Sequence, residues 1–202
     1  MKNLVVLLMM VFAFSGYVAG QITQLKIGEK AVLTDVKMTD ISGKSISLND
    51  AKQENGLLVL FSSNTCPFVL KWEDRYNDIK VWADKNKVGM IVLNSNYKKR
   101  SGDDSLEAMQ QKAQDKGYTF SYVVDHESQI ANAFGAQTTP HAFLFDSAFK
   151  LAYKGAIDDN YDSAANVSKP YLKDAISGLA AGGEIAVSET RPIGCSIKRK
   201  ID

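Results

Sequence analysis

Cys66, in the run Thr65-Cys66-Pro67-Phe68, is the residue of this chain with the clearest capacity for chemistry. It follows a short apolar stretch, Leu57-Leu58-Val59-Leu60-Phe61, and opens a segment with helical periodicity. A cysteine at a strand-to-helix junction lies near free backbone N–H groups and the positive end of the helix, which favours thiolate over thiol. Thiolate is the nucleophilic form. Pro67 suits the first helical turn, where its missing N–H costs nothing. The plainer alternative is a buried cysteine packing as a small hydrophobe. The chain holds one further cysteine, Cys195, in a Gly-flanked tail followed by Lys198, Arg199 and Lys200. Cys195 has no comparable helix end, so Cys66 is expected to attack and Cys195 to resolve.

The elements that must position these thiols are readable from periodicity. Thr34 to Leu48 reads as a hairpin around Ser42-Gly43-Lys44, and Leu57 to Phe61 as a strand buried on both faces. Pro67 to Lys85 places Val69, Trp72, Tyr76, Ile79 and Ala83 at helical spacing. Val88 to Leu93 is a second buried strand. Ser105 to Lys116 is a helix capped by Ser105 or a preceding aspartate and stopped by Gly117. Ser121 to Val124 is a strand, and Glu127 to Phe134 a short helix ended by Gly135. After Pro140, Ala142 to Phe145 and Leu151 to Tyr153 have the spacing of an antiparallel hairpin. Tyr171 to Ala181 is a last amphipathic helix. Glu184 to Asp202 lacks periodicity and reads as a mobile tail. The expected architecture is one α/β domain with a sheet of mixed direction.

Other polar residues have simpler readings. His126 and His141 with the two cysteines lack the short spacing of a zinc knuckle, so no metal and no cofactor are expected. His141, beside Pro140, is expected as an exposed loop histidine, with tuning of Cys66 as the alternative. Asp158-Asp159 reads as a turn held by local backbone hydrogen bonds. Trp72 and Tyr76 read as helix core, and Lys98-Lys99-Arg100 as a solvated loop before Asp103-Asp104. Asn166-Val167-Ser168 fits a glycosylation acceptor, relevant only in a eukaryotic secretory route.

Of the 202 residues, Met1 to Gly20 has the pattern of a secretory signal: Lys2, an apolar core from Leu4 to Phe14, then Val18-Ala19-Gly20 before Gln21. A retained anchor is the alternative, although the apolar stretch is short for a membrane span. The expected division is residues 1–20 as signal peptide, 21–183 as the domain and 184–202 as the tail carrying Cys195. Export to a periplasm or outside the cell follows, with no stable membrane span after signal removal. The net charge of +1 and the absence of a basic stripe give no reason to expect nucleic acid. Two cysteines are too few for a disulfide scaffold, but in an oxidising compartment they can form one bridge.

The ordered set Asn64-Thr65-Cys66-Pro67-Phe68-Val69, Glu73-Asp74-Arg75, Asn94-Ser95-Asn96, Thr139-Pro140, Leu144-Phe145-Asp146, Tyr153-Lys154-Gly155, Ile157-Asp158-Asp159 and Gly194-Cys195-Ser196-Ile197-Lys198 resembles the peroxiredoxin-like branch of the thioredoxin superfamily. The resemblance implies a single thioredoxin-like domain with a mixed central sheet flanked by helices, an N-terminal hairpin and a C-terminal tail. It implies Cys66 and Cys195 as catalytic thiols, and Ser63, Thr65, Thr139 and Pro140 around the substrate, with Thr139-Pro140 as a cis bond facing Cys66. The sequence departs from the wider superfamily at three positions. Val69 stands where a Cys-x-x-Cys pair would have its second thiol, Val59 where peroxiredoxins carry proline, and Thr138 where relatives often hold another cysteine. Two readings of function result. One is an exported thiol oxidoreductase acting on a protein disulfide or a small hydroperoxide, with a thiol electron donor that the sequence does not identify. The other is a non-enzymatic module on the same scaffold, its tail pinned by a structural Cys66–Cys195 disulfide.

Overall fold

The computed structural model describes residues 22–200; the signal-like segment lies outside the described residues. The chain runs β1 (Met38–Asp40), β2 (Ser45–Ile46), α1 (Leu48–Ala51), β3 (Gly56–Ser62), α2 (Pro67–Trp72), α3 (Tyr76–Lys85), β4 (Val88–Asn94), α4 (Leu106–Lys116) and β5 (Ser121–Val124). It continues with α5 (Gln129–Phe134), β6 (Thr138–Thr139), β7 (His141–Phe145), β8 (Leu151–Gly155), α6 (Tyr171–Ala180) and β9 (Cys195–Ser196). Seven strands form one sheet in the order β2-β1-β5-β4-β3-β7-β8. β3, β4 and β5 are parallel, whereas β1, β7 and β8 pair antiparallel to their neighbours. This is the expected mixed sheet with helices on both faces.

Strand alternation divides the core in two. Leu58 and Leu60 of β3 face a layer containing Val69, Trp72, Tyr76, Ile79, Leu172 and Ile176, and Cys66 belongs to this layer. Leu57, Val59 and Phe61 face the opposite layer with Ile130, Phe134, Phe143 and Phe145. The buried run that precedes Cys66 is therefore held from both sides, and the thiol is delivered from a strand buried at every residue.

Several elements follow the sequence closely. The Ser105 hydroxyl accepts the Ala108 N–H at 3.2 Å, and Gly117 ends α4 in the left-handed conformation, φ 58°. Others differ. The helix expected over Pro67–Lys85 is interrupted by a tighter turn at Glu73–Arg75. That turn sends Glu73 inward, where Lys112 and Lys116 pair with it at 2.6 and 3.0 Å. It also sends Arg75 toward Asp158, at 2.5 Å. Asp158 is accordingly buried and also accepts the Trp72 indole N–H at 2.9 Å, a longer-range role than the local turn expected of it. Glu127 and Ser128 have left-handed backbone, so the regular helix there begins at Gln129.

The tail is docked rather than loose. Lys154 N–H donates to Ser188 O and Thr190 N–H to Lys154 O, each at 3.0 Å, laying the tail along β8. Farther on, Cys195–Ser196 pairs antiparallel with Thr138–Thr139, and Ile197 N–H donates to Gln137 O at 3.1 Å. Backbone hydrogen bonding, which leaves no trace in residue periodicity, does this work. Among the described residues no helix is long and apolar enough to cross a membrane.

Candidate active site

Cys66 occupies the N-cap position of α2, with Pro67 in the first turn. Its backbone N–H donates to the Ser63 hydroxyl at 3.3 Å, and that hydroxyl lies 3.4 Å from the Thr139 hydroxyl. The Cys66 thiol donates to the Thr139 carbonyl at 3.0 Å. Thr139-Pro140 is a cis peptide bond. The opposite side of Thr139 pairs in register with Cys195. One residue of the cis-proline loop thus accepts the Cys66 thiol and pairs through its backbone with Cys195, and both cysteines are free.

Burial pushes the Cys66 thiol up, but hydrogen bonding from the Cys195 thiol, the Val69 N–H, the Thr139 side chain and the Cys195 N–H outweighs it. The net shift is below the ordinary thiol value. The Val69 N–H is one of the free N–H groups at the start of α2, so the helix contributes through its own unpaired donors. Cys195 moves the opposite way: burial and the neighbouring Cys66 hold it above the ordinary value. The electrostatics therefore separate the pair into a better thiolate and a better-protonated thiol.

Ser63, Thr65, Cys66, Thr139 and Cys195 share the wall of one cavity of about 140 Å³. Five of the six residues singled out from sequence are brought together there, and Pro140 supplies the cis bond beside them. The same wall includes Lys99 and Lys198. Lys99, expected on a solvated loop, hydrogen-bonds the Thr65 hydroxyl at 3.1 Å. Its neighbour Arg100 is half-buried and donates to Asn94 O and Asp104 O, at 2.6 and 2.5 Å.

Asp104 is the organising residue that sequence reasoning missed. Fully buried, it accepts the Asn64 N–H and the Asn94 amide at 2.7 Å each and the Asn96 amide at 2.9 Å. It ties the loop preceding Cys66 to the end of β4. Asn96 in turn accepts the Lys198 N–H at 2.8 Å, so the same network reaches the tail. The clue in the sequence is the Asn94-Ser95-Asn96 run at a strand end, where apolar periodicity stops and polar side chains must find buried partners.

His141 differs from expectation. It is buried at the start of β7, and its Nδ1 accepts the Gln137 N–H at 3.2 Å. Burial, then Lys154 and Arg199, push its pKa down to about 3. Among the described residues no group of three or more His, Cys, Asp or Glu side chains is arranged to hold a metal ion.

Residues 27–154, which hold the Cys66 thiol and the cis-proline loop, match a family model described as AhpC/TSA family. The chain belongs to the AhpC/TSA family. Cys195 lies beyond the matched region. No curated protein matches the chain. Among solved structures, it is similar to a hypothetical protein of Sinorhizobium meliloti, with 27% identity and a TM-score of 0.80. That match covers 89% of this chain and 98% of the other. It is similar also to an uncharacterized conserved protein of Geobacillus kaustophilus, with 28% identity, a TM-score of 0.81 and coverage of 88% and 94%. A peroxidoxin of Mycobacterium tuberculosis shares the fold, with 14% identity, a TM-score of 0.60 and coverage of 78% and 98%. The peroxiredoxin-like branch expected from the motif order is thereby established, and with it the thioredoxin-like redox fold.

Proposed function

We propose that this AhpC/TSA-family protein reduces small hydroperoxides through Cys66, with Cys195 of the same chain as resolving thiol. The observation that carries this reading is the position of Cys195, which is paired with the cis-proline strand at Thr139 beside Cys66. The chain's own tail occupies the strand edge that an extended protein substrate would need, while the cavity beside Cys66 remains large enough for a small molecule. In the cycle, the Cys66 thiolate attacks the terminal oxygen of the hydroperoxide. The O–O bond breaks, the alkoxide leaves and takes a proton from solvent, and Cys66 becomes a sulfenic acid. Cys195 then attacks that sulfur, forming the Cys66–Cys195 disulfide and releasing water. An external dithiol reduces the disulfide and completes the turnover.

Mass spectrometry with stopped-flow mixing tests the reading. One equivalent of hydroperoxide should convert the reduced protein to an intramolecular disulfide, and dithiothreitol should restore it. Cys66→Ser should abolish consumption, and Cys195→Ser should accumulate a sulfenic acid that dimedone traps. An ordinary Cys66 thiol pKa with no hydroperoxide consumption refutes the proposal. Faster reduction of insulin than of hydroperoxide assigns disulfide exchange instead.

A non-enzymatic module with a structural Cys66–Cys195 bridge is the second reading. It is favoured by the docked tail and by Val59 in the position where peroxiredoxins carry proline. Closing so long a loop stabilises by roughly 5 kcal/mol in the chain-entropy model. Such a bridge would resist mild reductant in the folded protein, and Cys195→Ser would lower the melting temperature sharply. Export to a periplasm or outside the cell belongs to the same proposal, resting on Lys2, the apolar Leu4–Phe14 run and Val18-Ala19-Gly20. A mature N-terminus at Gln21 in the exported fraction is the result that supports it.

A further inference from the structure

The wall of the Cys66 cavity carries charge of one sign. Lys99 and Lys198 line it, and among the described residues no carboxylate does. Lys198 belongs to the Cys195 end: its ammonium donates to the Ser196 hydroxyl at 3.0 Å and favours the Cys195 thiolate. Lys99 belongs to the Cys66 end. Its Nζ donates to the Thr65 hydroxyl at 3.1 Å, and Thr65 immediately precedes Cys66. Thr65 is exposed whereas Cys66 is buried, so the ammonium stands at the mouth and the thiol at the floor. A cavity of about 140 Å³ keeps mouth and floor within the span of one small molecule.

Asp103 is the carboxylate paired with Lys99, at 3.4 Å. It lies outside the cavity wall and is 61% exposed. An exposed pair of this kind is weak, so it steadies the lysine without cancelling its field inside the cavity. Thr65 and Asp103 engage two of the three ammonium protons, which leaves one donor for a ligand. A simple alkyl hydroperoxide is neutral near neutral pH and gains no charge pairing from that donor. A hydroperoxide that carries a carboxylate does gain it. The Cys66 thiolate repels the same carboxylate, so the two charges orient the molecule with its O–OH group inward and its carboxylate at the mouth.

We propose that Lys99 determines specificity and that the preferred substrate is a small hydroperoxide bearing a carboxylate, which pairs with the Lys99 ammonium while the O–OH group reaches Cys66. The substrate rests on the peroxidase reading of Cys66, whereas the preference of the cavity for an anion does not.

The first test needs no turnover. Iodoacetate and iodoacetamide are nearly equal in size, differ by one charge, and both alkylate a thiolate with loss of iodide. Their rates at Cys66 are read by mass spectrometry in the reduced full chain, with the neutral thiol mercaptoethanol as reference. The ratio of iodoacetate to iodoacetamide rates should exceed that of mercaptoethanol at least about threefold and fall as sodium chloride is raised. Lys99→Gln should return the ratio to that of mercaptoethanol. Any change in Cys66 acidity scales both rates alike and leaves the ratio untouched. Lys98→Gln, the same loss of charge at an exposed position outside the wall, should keep the native ratio. A ratio no higher than that of mercaptoethanol, an unchanged ratio in Lys99→Gln, or an equal fall in Lys98→Gln overturns the proposal. The second test compares turnover of tert-butyl hydroperoxide with that of its analogue in which one methyl carries a carboxylate. The native protein should have the higher kcat/KM for the analogue, and Lys99→Gln should lose that preference. Equal slowing of both substrates in Lys99→Gln would assign the ammonium to the leaving oxygen and overturn the specificity role. Consumption of neither hydroperoxide overturns the peroxidase reading and the substrate with it, and the alkylation ratio then decides the anion preference separately.

Discussion

Gly194→Ala is the sharpest perturbation of the arrangement around Cys66. A Cβ built on Gly194 would lie 2.3 Å from the Thr139 carbonyl oxygen and 2.7 Å from its carbon, both backbone atoms on the opposing strand. Ordinary contact begins near 3.4 Å, so the strands must part by about 1 Å. The Ile197 N–H to Gln137 O bond, 3.1 Å in the native pair, would then stretch beyond hydrogen-bonding range. Losing this bond and one from the Thr139–Cys195 pair, at about 1 kcal/mol each, raises the undocked tail population roughly thirtyfold. Global stability should change little, because the seven-stranded core is untouched. The assay is the rate of sulfenic acid resolution after one hydroperoxide pulse, read as dimedone-trapped Cys66. Trapping should rise strongly in Gly194→Ala and stay at the native level in Gly102→Ala, whose Cβ meets nothing within 4 Å. Equal trapping in the two variants would refute the claim that strand pairing at Thr139 positions Cys195.

Two further outcomes follow from the same structure. Under limiting reagent near neutral pH, a small alkylating agent should modify Cys66 first. A bulky maleimide should favour the more exposed Cys195, because Cys66 is only 5% exposed; Cys195 leading with both reagents would reverse the assignment of roles. Acidification should destabilise the fold through His141. Its folded pKa is held down to about 3 against an ordinary 6.5, so the unfolded chain binds the proton first and stability falls as pH drops from 6.5 toward 3. The loss is up to about 5 kcal/mol at the limit, and His141→Gln should flatten that slope in urea denaturation across the same range.

The parts of the molecule legible in sequence are those fixed by local rules. The buried β3 announces itself as an unbroken apolar run, and α4 is bracketed by Ser105 and Gly117 through capping alone. Pro67 after Cys66 marks the helix start. The cis Thr139-Pro140 bond was readable only through the order of motifs shared with related chains, since a lone Thr-Pro gives no such signal. What stayed hidden depends on distant partners. Asp104 looks like half of a loop dipeptide, yet its carboxylate gathers Asn64 from the loop before Cys66, Asn94 from the end of β4 and Asn96 just beyond it. His141 sits next to a proline in what reads as a turn, but antiparallel pairing of β7 with β3 buries it opposite Phe61. The interruption at Glu73 is set by Lys112 and Lys116 from α4, which helical spacing in the 67–85 segment does not contain. The tail misled for a different reason: many of its anchors are backbone hydrogen bonds, indifferent to side-chain pattern, and the side chains that help, such as Asn96 and Thr190, meet partners far away in sequence.

Thr139 also supplies a reason for the order of events in the proposed cycle. In the reduced protein the Cys66 sulfur and Cys195 are linked electrostatically, with the acidity of one gained partly from the hydrogen-bonding proton of the other. As long as Cys66 carries its negative charge, Cys195 is kept protonated and cannot compete as a nucleophile. Conversion of Cys66 to a neutral sulfenic acid removes that opposing charge. The Phe68 N–H and the Lys198 ammonium, both of which favour the Cys195 thiolate, then act without opposition from Cys66. The second thiol thus becomes more acidic only after the first has reacted, at a position already fixed by pairing with Thr139. Lys198→Gln should therefore slow resolution of the sulfenic acid while leaving its formation near the native rate. A change confined to the formation step would show that Lys198 acts on the substrate and not on Cys195.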